Sequence, residues 1–157
     1  TMIGGDFESV IAGEWGIRGE IAAFTDDSFQ GDQPSIVRGR SFDAGLGVDR
    51  RAGNYQFSGT VLFHREHTDE PSALERSDLS LIVSADRNFA RDRYQLRAFS
   101  VFNPSQESAF VRAIVLARLR DDVALEGSAG WLAGEGRDTI GRFADSHFVY
   151  LRMKYYW

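Results

Sequence analysis

Residues 149–157 read Val149-Tyr150-Leu151-Arg152-Met153-Lys154-Tyr155-Tyr156-Trp157, and their spacing decides the fold. Every second residue, Val149, Leu151, Met153, Tyr155 and Trp157, belongs to a row without charge, while Tyr150, Arg152, Lys154 and Tyr156 fill the gaps. A period of two is that of a β-strand, whose successive side chains leave on opposite faces. The stretch therefore predicts a strand with one apolar and one polar face.

Upstream the same division recurs. Val123, Leu125, Gly127, Ala129 and Trp131 alternate with Ala124, Glu126, Ser128 and Gly130; Val111, Ala113, Val115, Ala117 and Leu119 alternate with Phe110, Arg112, Ile114, Leu116 and Arg118. Tyr94, Leu96 and Ala98 stand against Gln95, Arg97 and Phe99, and Leu79, Leu81, Val83 and Ala85 against Ser80, Ile82, Ser84 and Asp86. Tyr55, Phe57, Gly59, Val61 and Phe63 form a further uncharged row. Nearer the start, Phe42, Ala44, Leu46 and Val48 oppose Asp43 and Asp49, and Trp15, Ile17, Gly19, Ile21 and Ala23 oppose Arg18 and Glu20. Eight strands are clear, and a ninth, around Phe7 to Ala12, is weaker.

Connections alternate between tight and long. Tight turns fall near Gly13-Glu14, Arg51-Ala52-Gly53-Asn54, Ala90-Arg91-Asp92 and Asp121-Asp122; longer links run near Thr25–Ser35, Glu66–Ser77, Asn103–Glu107 and Gly134–Arg142 and hold all three prolines. No helix-period segment longer than a turn or two, no linker and no low-complexity tract breaks this series of hairpins, so residues 1–157 read as one all-β, antiparallel up-and-down domain.

Bulk composition agrees. With 16 glycines and 12 phenylalanines scattered among short segments, the chain favours strands and turns over long helices. Arg, Asp or Glu interrupts every apolar run well short of the ~20 residues a spanning helix needs, which excludes a helical membrane protein and leaves a membrane barrel open. A net charge of -5 with both signs interspersed gives no reason to expect a nucleic-acid partner. Cysteine is absent, which removes disulfides and thiolate metal sites.

The terminal row Val149, Leu151, Met153, Tyr155, Trp157 resembles the last strand of Gram-negative outer-membrane β-barrels of the porin kind, which ends in an aromatic residue preceded by alternating apolar ones. Trp157 departs from the usual Phe. The resemblance implies a transmembrane barrel in the bacterial outer membrane and recognition of this strand by the barrel-assembly machinery. It also implies passage of small solutes through a charged lumen. Physics supports the pattern, because lipid-facing side chains must be apolar and aromatic residues favour the two boundaries of the bilayer. Trp15, Tyr55, Phe63, Tyr94, Phe102, Trp131, Tyr155 and Trp157 stand near expected strand ends on the uncharged face and fit such a girdle. A soluble, lipocalin-like binding barrel is the alternative, with the same rows turned inwards; Gly- and Ala-rich rows are poor filling for such a core.

Complete bacterial barrels have an even number of strands. Eight strands would make a small closed barrel filled by Phe99, Phe110, Leu116 and Phe148; nine would make the C-terminal part of a larger one. The second is favoured, because the chain opens at Thr1 without a signal peptide and scattered charges suit a wide, wetted lumen.

Arg97, Arg112, Arg118, Glu126, Arg152 and Lys154 share the polar face and are expected to line that lumen. A hairpin centred on Asp122 would set Arg118 opposite Glu126, with Arg152 beyond it, as a cross-strand ladder. The ladder either biases the pore towards anions or simply ties neighbouring strands together. No enzyme is expected. His64 and Glu66 share a strand face, and His67 and His147 stand elsewhere, but neither three converging ligands nor a nucleophile accompanies them. Asp26, Asp27 and Asp32 lack the spacing of a calcium loop, and Gly134-Glu135-Gly136 lacks that of a phosphate loop. No cofactor or metal is expected. A structural or surface-binding outer-membrane barrel without transport is the remaining alternative.

Overall fold

A computed structural model describes residues 1–30, 36–68, 76–135 and 138–157. The strands are β1 (Met2–Ile11), β2 (Trp15–Gln30), β3 (Ile36–Ala52), β4 (Tyr55–Thr68), β5 (Ser77–Phe89), β6 (Tyr94–Asn103), β7 (Ser108–Arg118), β8 (Val123–Gly134) and β9 (Phe148–Tyr155). A single helical turn, α1 (Thr139–Arg142), lies between β8 and β9. The strands form one sheet in chain order, and every neighbouring pair is antiparallel.

The all-β up-and-down reading is thus what the chain adopts. The weak first segment is a full strand and starts five residues earlier than its alternation suggests, at Met2 instead of Phe7. β2 and β4 also run on through residues expected to be loop, to Gln30 and Thr68. Asp32 and Gly136 lie outside the described residues.

Among the described residues β1 pairs only with β2 and β9 only with β8, so the sheet is open. The small closed eight-stranded barrel is therefore not formed.

Among the described residues no second layer covers the sheet. Ala124 is the one buried hydrophobic residue among those described, while Leu151 is 71% exposed, Val149 83% and Val115 49%. The polar rows are the less exposed ones: along β8, Ala124, Glu126, Ser128 and Gly130 are buried whereas Ala129 and Trp131 are exposed. With no described layer packed across them, lower exposure marks the polar rows as the inner side of a curved sheet and the uncharged rows as its outer side.

At Gly134 the surroundings require glycine. Gly134, at the end of β8, has φ +147°, and a Cβ there would stand 2.7 Å from the Ser108 Cα and 3.0 Å from the Glu107 carbonyl oxygen. At Gly5 a Cβ meets nothing within 4 Å. Gly134→Ala is expected to destabilise the sheet by about 1–3 kcal/mol, and Gly5→Ala to stay within about 0.5 kcal/mol of the parent. Urea titrations followed by tryptophan fluorescence compare the two; equal midpoints would show the strain at Gly134 to be relieved elsewhere.

Candidate functional site

The inner face of β6–β9 carries the expected charged residues, and the register decides which of them meet. Across β8 and β9, Glu126 faces Arg152, Ala124 faces Lys154 and Ser128 faces Tyr150. Glu126 thus has one partner directly opposite and two on the diagonals, all within reach of long side chains. Its carboxylate accepts from Arg152 Nη2 at 2.8 Å, Lys154 Nζ at 2.6 Å and the Tyr150 hydroxyl at 2.8 Å. Arg112 joins from β7, donating from Nε to Ser128 Oγ at 2.9 Å and from Nη2 to the Tyr150 hydroxyl. Tyr150 accepts from Arg112 and donates to Glu126, so it links the two halves of the network.

Arg118 is not in this network. The β7–β8 turn closes with the Leu119 N–H on the Val123 carbonyl, which centres the hairpin on Asp121. Leu116 therefore faces Glu126, and Arg118 faces Ala124 with its side chain exposed. The expected Arg118–Glu126–Arg152 ladder keeps its second rung and loses its first. Arg97 keeps to the inner face but pairs with Asp86 directly across on β5.

Sequence reasoning missed Tyr150 as the hub, although its position two residues from Arg152 puts it on the right face. It also passed over the inner face of β1–β5, which carries Asp6, Glu8, Glu20, Asp43, Asp49 and Asp86 on positions in register with one another. Among the described strand residues, Arg18 and Arg51 are the arginines on that face. His64 lies between Asp43 and Glu66, with its Nε2 3.2 Å from Glu66 Oε1. No group of three or more metal-ligating side chains forms among the described residues.

Beyond this region a register irregularity between Phe24 and Asp27 turns the Asp27 side chain onto the inner face. There the Ser41 hydroxyl at 2.6 Å and the Ser28 N–H at 2.9 Å hold its carboxyl below the usual carboxylate range.

On the outer face Trp15, Tyr55, Tyr94 and Tyr155 mark the tight-turn end of the strands, and Phe63, Phe102 and Trp131 a second level. On β4, for example, Tyr55 and Phe63 are eight residues apart, about 26 Å along the strand. Trp157 lies past the end of β9, fully exposed. Between the two levels no described residue of the outer face is charged. Arg50 and Arg87 sit at the tight-turn rim, stacked on Trp15 at 5.1 Å and Tyr55 at 4.6 Å.

No family model matches the chain, and no curated protein or solved structure is similar to it.

The Glu126 network makes a testable difference between two charged residues that the sequence places on the same polar face. Glu126→Gln leaves Arg152 and Lys154 without their counter-charge and is expected to cost about 1–3 kcal/mol. Arg118→Gln removes an exposed side chain and should change stability by less than about 0.5 kcal/mol. Urea midpoints measure both, and a larger loss for Arg118→Gln would reverse the assignment.

Proposed function

We propose that this sheet is part of the wall of a Gram-negative outer-membrane β-barrel of the porin type, non-enzymatic, which passes small solutes along its charged inner face. One observation carries the reading: among the described strand residues charge is confined to the inner face and to the two rims, leaving an uncharged outer band between two levels of aromatic residues. That is the side-chain distribution a wall needs when lipid lies outside and water inside. A soluble lipocalin-like barrel needs the opposite arrangement, with its uncharged rows packed together in a dry centre.

Open edges fit the same reading when further strands complete the wall. Unpaired backbone groups are costly in hydrocarbon, so β1 and β9 each need a partner there. As first and last of nine consecutive antiparallel strands, β1 and β9 run in the same direction. An antiparallel closure consequently takes an odd number of additional strands, supplied by the same or another polypeptide. The row Val149, Leu151, Met153, Tyr155 lies exposed along β9 beside a free strand edge, as a segment read by the barrel-assembly machinery must.

Flotation with phospholipid vesicles and conductance across a planar bilayer test the two parts of the proposal. Stable membrane association and discrete conductance steps are expected. A barrel serving adhesion or structure gives the first without the second, and a water-soluble protein that does not float overturns both. Leu151 faces Gly127, midway between Val123 and Trp131, and so stands at the middle of the band. Leu151→Arg is expected to weaken membrane folding by about 2–4 kcal/mol, read as a lower urea midpoint in vesicles. An unchanged midpoint with more protein in the soluble fraction would place Leu151 in water.

A further inference from the structure

Aliphatic side chains such as Leu62, Ile82, Ile114 and Leu116 are scattered over the inner face, but one continuous apolar feature there is left unused by the channel reading. Phe99, Phe110, Phe148 and Tyr150 form a continuous row of rings across β6–β9, with centroids 5.4, 6.4 and 6.3 Å apart in that order. β8 contributes no ring to it. Instead the Phe148 ring crosses that strand above Gly130, where a Cβ would come within 2.3 Å of it. Gly130 thus keeps the row unbroken.

Beside these rings stands a cation with donors to spare. The Arg112 guanidinium lies 5.9 Å from the Phe148 ring centre and 5.6 Å from that of Tyr150. Its hydrogen bonds to Ser128 and Tyr150 occupy Nε and Nη2. A guanidinium has five N–H groups arranged as a fork suited to a carboxylate, so the Nη1 pair stays available. Further along β9, Arg152 and Lys154 share the single carboxylate of Glu126, which leaves the group of Arg112, Arg152 and Lys154 with an excess of positive charge. Above the row, α1 packs on the ends of β7 and β8, where Asp138 accepts from the fully buried Ser108 hydroxyl and from the Gly141 N–H. Asp138 is in this way occupied.

We propose that the Phe99–Phe110–Phe148–Tyr150 row and Arg112 form a binding track for a small aromatic carboxylate. The flat body stacks on the rings, and the carboxylate takes the free edge of the Arg112 guanidinium. Either element alone is less selective. Rings without a cation accept any apolar surface, sugars included, and a cation without rings accepts any small anion; together they favour ligands with both features. The track rests on the inner face being the wetted one, and it deepens the channel reading by naming a solute class.

Benzoate is the probe, with para-fluorobenzoate as reporter in fluorine NMR on the full chain in detergent micelles. Benzoate is expected to displace the reporter at about tenfold lower concentration than acetate or glucose, equivalent to about 1.4 kcal/mol. Arg112→Gln should abolish the preference for benzoate over benzyl alcohol. Phe110→Leu, which leaves the polar network untouched, should weaken benzoate several-fold and leave acetate unchanged; its urea midpoint shows whether the fold is retained. Equal displacement by acetate, equal displacement by glucose, or an unaltered preference in Arg112→Gln overturns the proposal. A protein that binds benzoate in micelles but conducts no ions keeps the track and loses the channel. One that conducts and shows no preference keeps the channel and loses the track.

Discussion

An unbroken antiparallel register holds the two faces of this sheet apart. Each side chain in a strand lies opposite to its sequence neighbour, so a slip of one residue in any hairpin would carry charged rows across to the uncharged face. From β2 to β9 the pairs run without such a slip through the band between the aromatic levels: Ile21 with Ala44, Ala44 with Phe63, Phe63 with Leu79, Val83 with Ser100, Val115 with Gly127 and Gly127 with Leu151. The irregularity at Phe24/Asp27 falls beyond that band. There the extra residue brings Asp27 to the side where Ser41 can satisfy it, so a disruption harmful lower down serves the strand above it.

Curvature then makes the faces chemically unlike. On the inner side neighbouring side chains converge, and long ones need room. Gly16 lies beneath Asp49, Gly45 beneath Glu20, Gly47 beneath Arg18 and Gly130 beneath Phe148, with an added Cβ meeting the neighbour at 2.3–3.1 Å in each case. On the outer side Gly5, Gly59 and Gly127 have nothing closer than 3.9 Å, whereas Gly19 lies beneath the Phe7 ring. Inner-face glycines are therefore the complement of long charged or aromatic residues on the adjoining strand. The convergence also explains how Glu126 gathers three donors from β9 while Leu151, its neighbour's partner, touches open space.

Alternation along Tyr55–Phe63, Val123–Trp131 and Val149–Tyr155 made the strand identity and the division into faces legible, because a period of two depends only on neighbours in sequence. Face membership of Arg97, Arg112, Glu126, Arg152 and Lys154 followed at once. Contacts between strands were less legible, because they depend on turn geometry. A hairpin centred one residue earlier than expected moves the pairing by two, which preserves the face of Arg118 and changes its partner from Glu126 to Ala124. The role of Tyr150 was hidden for the same reason: its hydroxyl matters only once Ser128 is known to stand opposite. Strand ends in β1, β2 and β4 were obscured because Gly4, Gly5 and Asp27 read locally as turn residues and His67 and Thr68 as loop, while pairing to a long neighbour keeps them extended.

Charge along the chain conceals one further property of the sheet. The net charge of -5 and the even mixture of signs suggest a neutralised surface, but the strand order sorts the inner-face charges laterally. Asp6, Glu8, Glu20, Asp43, Asp49 and Asp86 gather on β1–β5, whereas Arg97, Arg112, Arg118, Arg152 and Lys154 gather on β6–β9. Arg97 and Asp86 meet at the boundary between the two regions and form an ion pair there. Opposite charges on adjacent strands neutralise each other locally; opposite charges separated by several strands leave a potential running across the inner face. The aromatic row lies wholly within the positive region. Its rings consequently sit where an anion is concentrated and a cation is not, and the lateral sorting of charge and the position of the rings act on the same class of ligand.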